Sequence, residues 1–146
     1  MRPQVLHIGS FLLSCLFCGV IWGVAVYMLT GDMHRQDLLQ SLFFWSALPA
    51  CLVLGPMIVW MASKGVPRWL NTILSYYLGI LLYWLLLLIA DPLVGDNLRD
   101  TPWSFLFLML YVGTLWFGAP LLALCAFTSS ILLGVYAHFA PESRGR

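Results

Sequence analysis

The residues of this chain best equipped for chemistry are three histidines, four cysteines and a small set of aspartates. His7 stands near the start of the first apolar run and His138 near the end of the last. Two imidazoles at one membrane depth can serve as the axial ligands of a haem, so a haem-binding membrane anchor through His7 and His138 is one reading. The simpler reading is that each faces lipid headgroups. His34 lies in a polar break and is expected to be solvated.

Cys15 and Cys18 are three positions apart and share a helix face. Cys51 and Cys125 also fall near the middle of apolar runs. Four thiolates could pass a soft ion such as copper(I). Thiolates in hydrocarbon are costly without a bound metal, and no cysteine or methionine-rich entrance precedes them. They are expected to act as small hydrophobes, with no metal and no cofactor required.

The aspartates Asp32, Asp37, Asp91, Asp96 and Asp100 fall in two polar breaks on one predicted side of the membrane. They could form an acidic rim that helps select a partner, although solvated turns are the plainer expectation. Their spacing does not match an EF-hand. The chain carries no P-loop, dinucleotide, metalloprotease or Ser-His-Asp signature, and the short breaks leave no room for a soluble catalytic domain. The expectation is a protein that is not an enzyme.

The elements that must position these residues are set by composition. Across 146 residues, 62% are hydrophobic and 9% charged, with a mean hydropathy of +0.92. A soluble domain needs far more polar surface; a bilayer removes that need. The net charge of +1 gives no reason to expect nucleic acid as a partner. Four runs free of Asp, Glu, Lys and Arg meet the roughly 20 residues that a membrane helix requires. They cover about residues 5–29, 41–62, 69–90 and 103–139. The first run is too long for a signal-peptide core and is expected to remain as a span. The prediction is an all-α, integral membrane bundle of four transmembrane helices, forming one domain over residues 1–146.

The fourth run is too long for one upright crossing, because about 37 residues rise roughly 55 Å against a core of roughly 30 Å. Gly118-Ala119-Pro120 interrupts it. A single long helix kinked near Pro120 is expected; a half-inserted piece followed by a full span, and a five-span chain, are the alternatives. Pro49 and Pro56 should bend the second helix. In a transporter, carbonyls freed in this way can line a site.

Orientation follows from Lys and Arg near the span ends. Arg2, Lys64, Arg68, Arg144 and Arg146 fall on one side, Arg35 and Arg99 on the other. The expectation is a multi-pass protein of a bacterial inner membrane with both termini cytoplasmic. Tyr27, Trp45 and Trp103 on one side and Trp60, Trp69 and Tyr136 on the other suit the aromatic belts.

Each helix also carries a strip of small residues. These are Cys15, Gly19 and Gly23; Ala47, Cys51 and Gly55; Ser75 and Gly79; and Ala126, Ser130 and Gly134. Such strips let helix backbones approach closely in lipid, either within the chain or against a partner. The runs lack the buried ionisable groups that mark proton relays and ion paths. The reading that follows is a non-catalytic membrane protein acting through contacts in the bilayer. It would be an accessory or assembly subunit, or an immunity or exclusion factor, partnered by another membrane protein or a second copy of itself. A small transporter or channel component is the alternative.

Overall fold

The computed structural model describes residues 3–30, 42–94 and 102–139, all but a few of them helical. The order is α1 (Pro3–Thr30), α2 (Leu42–Ser63), α3 (Arg68–Val94), α4 (Pro102–Tyr111), a π-helical turn (Val112–Trp116) and α5 (Gly118–Phe139). Among the described residues, α1, α2, α3 and α5 are long and apolar enough to cross a membrane. Helix is the form that lets an apolar segment satisfy every backbone N–H and C=O without water. The described residues are therefore almost all helical and include no strand, as the charge-free runs predict.

Neighbouring helices run antiparallel. Near one end Gly23 of α1 meets Phe44 of α2, and toward the other end Gly55 of α2 meets Cys15 and Phe11 of α1. The turn from α2 to α3 is built locally. Gly65 adopts φ +81°, and its N–H donates to Ala62 O while that of Val66 donates to Met61 O. This is the Schellman arrangement, which needs a residue tolerant of the left-handed region at the helix end. Pro67 follows, and its carbonyl accepts the Asn71 N–H as α3 begins.

The fourth apolar run is interrupted three residues earlier than Pro120. The π turn ends at Phe117, which leaves helical geometry with φ −121° and ψ 12°. The Phe117 N–H donates to Val112 O, and the Phe117 carbonyl accepts from Leu121. Pro120 sits in the first turn of α5, where the missing N–H would have had no partner within the helix. The proline thus fits a new helix start instead of bending a continuous helix. Pro49 and Pro56 lie inside α2, and both face outward, so the helix passes through them.

Contacts along α3 order this last part of the chain. Trp84 Nε1 donates to Pro102 O, Tyr76 Oη to Gly113 O at 2.6 Å, and Cys125 Sγ to Thr72 O. As the chain advances from 102 to 125, its α3 partners step back from 84 to 72. α4, the π turn and α5 therefore run in succession along α3, against its direction. Phe105 and Met109 of α4 pack on Ala47, Tyr83 and Leu87, while α5 packs lower, through Leu132, on Cys15, Cys18, Cys51 and Ile58.

Candidate functional site

The small-residue strips divide into two kinds. Those of α1 and α2 pack against each other. A methyl group added at Gly19 would lie 3.0 Å from the Leu48 Cα, and one at Gly23 would lie 2.7 Å from Phe44 Cδ2. One at Gly55 would collide with the Cys15 sulfur. Ala47 and Cys51 are buried in the same seam. On α3, Ser75 is buried and donates to Asn71 Oδ1 at 3.1 Å, and a methyl at Gly79 would meet Leu54 of α2 at 3.3 Å. The α5 strip is different. Ala126, Ser130 and Gly134 are exposed, the first two at the edge of a hollow beside α3, and nothing lies within 4 Å of the Cβ position at Gly134.

The four cysteines converge at the centre of the bundle. All are free thiols and all are buried, with Cys15 at 0% exposure. Cys15, Cys18 and Cys51 belong to one buried cluster, and Cys18, Cys51 and Cys125 line one hollow. Cys18 Sγ approaches Thr128 O at 3.9 Å and Cys125 Sγ approaches Thr72 O at 3.6 Å. Among the described residues, no three His, Cys, Asp or Glu side chains are grouped to hold a metal.

Around this centre the helices leave a hollow of about 290 Å³, partly open to the surroundings. Its wall is mostly apolar. It includes Cys18, Cys51 and Cys125, the π-turn residues Val112 and Gly113, and Tyr83. A second hollow of about 250 Å³ lies between the start of α3 and α5, lined by Arg68, Asn71, Thr72, Ser129 and Ser130 among others. Ser129 lines both.

A polar spine that the sequence reading overlooked runs beside these hollows. Asn71 is 2% exposed, and its Nδ2 donates to Ile58 O of α2 at 3.0 Å. Trp22 Nε1 of α1 donates to Thr128 Oγ1 of α5 at 3.1 Å, and the Thr128 hydroxyl lies within bonding range of Leu124 O and Cys125 O. A lone Asn in the first turns of an apolar run was the available signal. Amide side chains in membrane helices are usually placed to bond across to another helix.

His7 and His138 lie toward the same end of the antiparallel α1–α5 pair, and neither lines the central hollow. Asp32, Asp37, Asp96 and Asp100 lie outside the described residues. Asp91 falls within α3, but its side chain is likewise outside the description. Trp45, Trp60, Trp69, Trp103 and Tyr136 are all exposed, as belt residues should be. No protein-family model, curated protein or solved structure matches the chain.

Proposed function

We propose that this chain is a non-catalytic, multi-pass protein of a bacterial inner membrane. It acts by holding a helix of another membrane protein, or of a second copy of itself, against the outward face of α5. The role is that of an accessory or assembly subunit, or of an immunity or exclusion factor. The observation that carries this reading is the surface of α5. Ala119, Ala123, Ala126, Ser130, Gly134 and Ala137 are all exposed, and at the α-helical pitch they fall within an arc of about 80°. A continuous small-residue ridge offers a partner backbone close approach along the whole helix, and close approach is what drives helix association in lipid. The equivalent strips of α1 and α2 are already used inside the chain, which leaves this one for another molecule. The outer aspartates would add selectivity in encounter.

The test is the double substitution Ser130→Leu with Gly134→Leu. Cross-linking and co-purification from mild detergent should lose the bound partner or the dimer. Thermal stability should stay within about 0.5 kcal/mol of the parent, as for other outward positions. Retention of the partner, or a parent chain that is monomeric and alone in every detergent, overturns the reading. A small transporter component is the second reading, favoured by the central hollow; solute flux in liposomes by a chain that captures no partner would put it first.

The proposed topology is four crossings, with α4, the π turn and α5 sharing the last. The Lys and Arg count supports cytoplasmic termini. Reporter fusions after residue 146 and within 63–68 should read cytoplasmic, and those within 30–40 and 91–102 extracytoplasmic. An extracytoplasmic C-terminus would mean five crossings.

A further inference from the structure

The central hollow is drawn out along the bundle axis. α1 lines it from Cys18 to Leu29 and α2 from Ala47 to Ile58, and eleven residue steps of helix rise about 16 Å. Leu29 ends the apolar span of α1. One end of the hollow therefore stands near a membrane surface, and the other lies about 16 Å inward. That is roughly half of a hydrocarbon core of about 30 Å, the depth that the chains of one leaflet occupy. The volume of about 290 Å³ is about twice that of an apolar cavity that takes up benzene, which scales to roughly 12 carbons. An extended chain of that many carbons has about the length of the hollow.

The chemistry of the wall narrows the occupant. Among the described residues it carries no Asp, Glu, Lys, Arg or His. Polar side chains on it are already engaged within the protein. Trp22 Nε1 donates to Thr128 Oγ1, Ser75 to Asn71 Oδ1, and Tyr76 to Gly113 O. Such a wall offers a headgroup or an ion nothing in exchange for its hydration. The hollow also has a mouth. Of its wall residues, only Leu29 of α1 and Leu108 of α4 are exposed. Trp22 and Val26 of α1 and Phe105 and Met109 of α4 pack on one buried cluster, which brings these two helices together over the same core. The opening therefore lies between α1 and α4, at leucines that both turn outward. In a bilayer such a mouth faces lipid tails and not water.

We propose that the central hollow holds one acyl chain of a bilayer phospholipid, which enters between Leu29 and Leu108 and runs inward towards Cys18 and Ile58. The headgroup and the second chain stay in the bilayer, so selection is by chain and not by headgroup. The bound chain supplies the dispersion contacts that the helices do not make with one another across the hollow. None of the α5 ridge residues is on its wall, and the site does not depend on a protein partner.

The experiment is native mass spectrometry of the full chain in a detergent with a sterol-like tail, which brings no straight chain of its own. The titrants are dimyristoyl phosphatidylcholine, dimyristoyl phosphatidylglycerol and dihexanoyl phosphatidylcholine. One dimyristoyl lipid per protein should bind, with the two headgroups within about twofold of each other, and the dihexanoyl lipid about tenfold more weakly, because a short chain leaves the inner wall without contacts. Ala50→Phe puts a ring into the hollow from a buried wall position and should abolish the bound lipid. Val53→Phe, on the same helix at a position 55% exposed, should keep it. If Ala50→Phe does not fold, Val112→Phe on the π-turn wall reads the same outcome. A preference set by headgroup, equal binding of long and short chains, binding without saturation at one, or a folded Ala50→Phe or Val112→Phe that retains the lipid would each overturn the proposal.

Discussion

Gly55→Leu should be the most damaging single substitution in the α1–α2 seam, lowering stability by about 3 kcal/mol and broadening or abolishing the thermal transition in detergent. The reason is steric and local. Even the first carbon of a side chain at Gly55 would run into the Cys15 sulfur, and Cys15 is fully buried with Cys18, Cys51 and Ile58 around it. The sulfur has nowhere to go, so α1 and α2 must separate. Their contact is built on small residues at several levels, with Gly19 beneath Leu48 and Gly23 beneath Phe44. Separation at one level therefore loosens the others. Gly134→Leu is the matched control, being the same substitution on an outward face with open space, and it should leave the transition in place. The measurement is thermal unfolding by intrinsic fluorescence. Equal transitions for the two variants would mean that α1 and α2 do not pack through this seam.

Leu87→Ala should cost about 2 kcal/mol. Leu87 is 0% exposed and is enclosed by Ala47 and Tyr83, with Trp22, Val26, Phe105 and Met109 packed on that group. In a soluble protein, such a truncation loses both the transfer of the side chain from water and the packing around it. In a bilayer the transfer part nearly vanishes, since lipid tails are as apolar as leucine. What remains is the cavity term, and it is felt only where surrounding side chains cannot collapse. Leu13→Ala supplies the comparison, because Leu13 is 69% exposed and lipid will fill the space it leaves. The difference between the two in unfolding free energy, measured in one detergent, isolates the packing contribution. Equal effects at both positions would show that the Leu87 environment is as deformable as lipid.

The contrast between these leucines also explains what could be read from the sequence. The four long apolar helices were legible because charge is absent from them, and charge at membrane depth is expensive in any arrangement. The strips of α1 and α2 were legible as packing surfaces for the same kind of reason: a Gly that costs helix stability repeats where backbones must approach. Which side of each helix faces inward was not legible. In water, an outward face is polar and marks itself. Here Leu13 and Leu87 are the same residue type on opposite sides of the boundary, and all four long helices are nearly uniform in polarity around their circumference. The α5 strip could not be told from the others for this reason, and only packing separates Gly134 from Gly23. The break at Phe117 was hidden because the π turn that prepares it, Val112–Trp116, carries no proline and only one glycine, while Pro120 nearby drew the expectation to itself. The hollow had no signature at all. It is a property of six elements meeting, and each of its apolar wall residues looks like any other core residue.

The turn between α2 and α3 has a bearing on the order in which the molecule assembles. Its hydrogen bonds join Lys64, Gly65 and Val66 to residues only three to five positions back, so it can close as soon as that stretch of chain exists. Little loop entropy is spent in doing so. Once closed, it aims α3 back along α2, and Asn71 arrives opposite the Ile58 carbonyl with no search over alternative registers. The two helices thus form a hairpin whose alignment is written in adjacent residues. The remaining helices are joined to it through longer stretches and must find it by diffusion in the plane of the membrane. The α2–α3 hairpin is in this sense the template of the fold, and α1 and α5 close on a partner whose shape is already set.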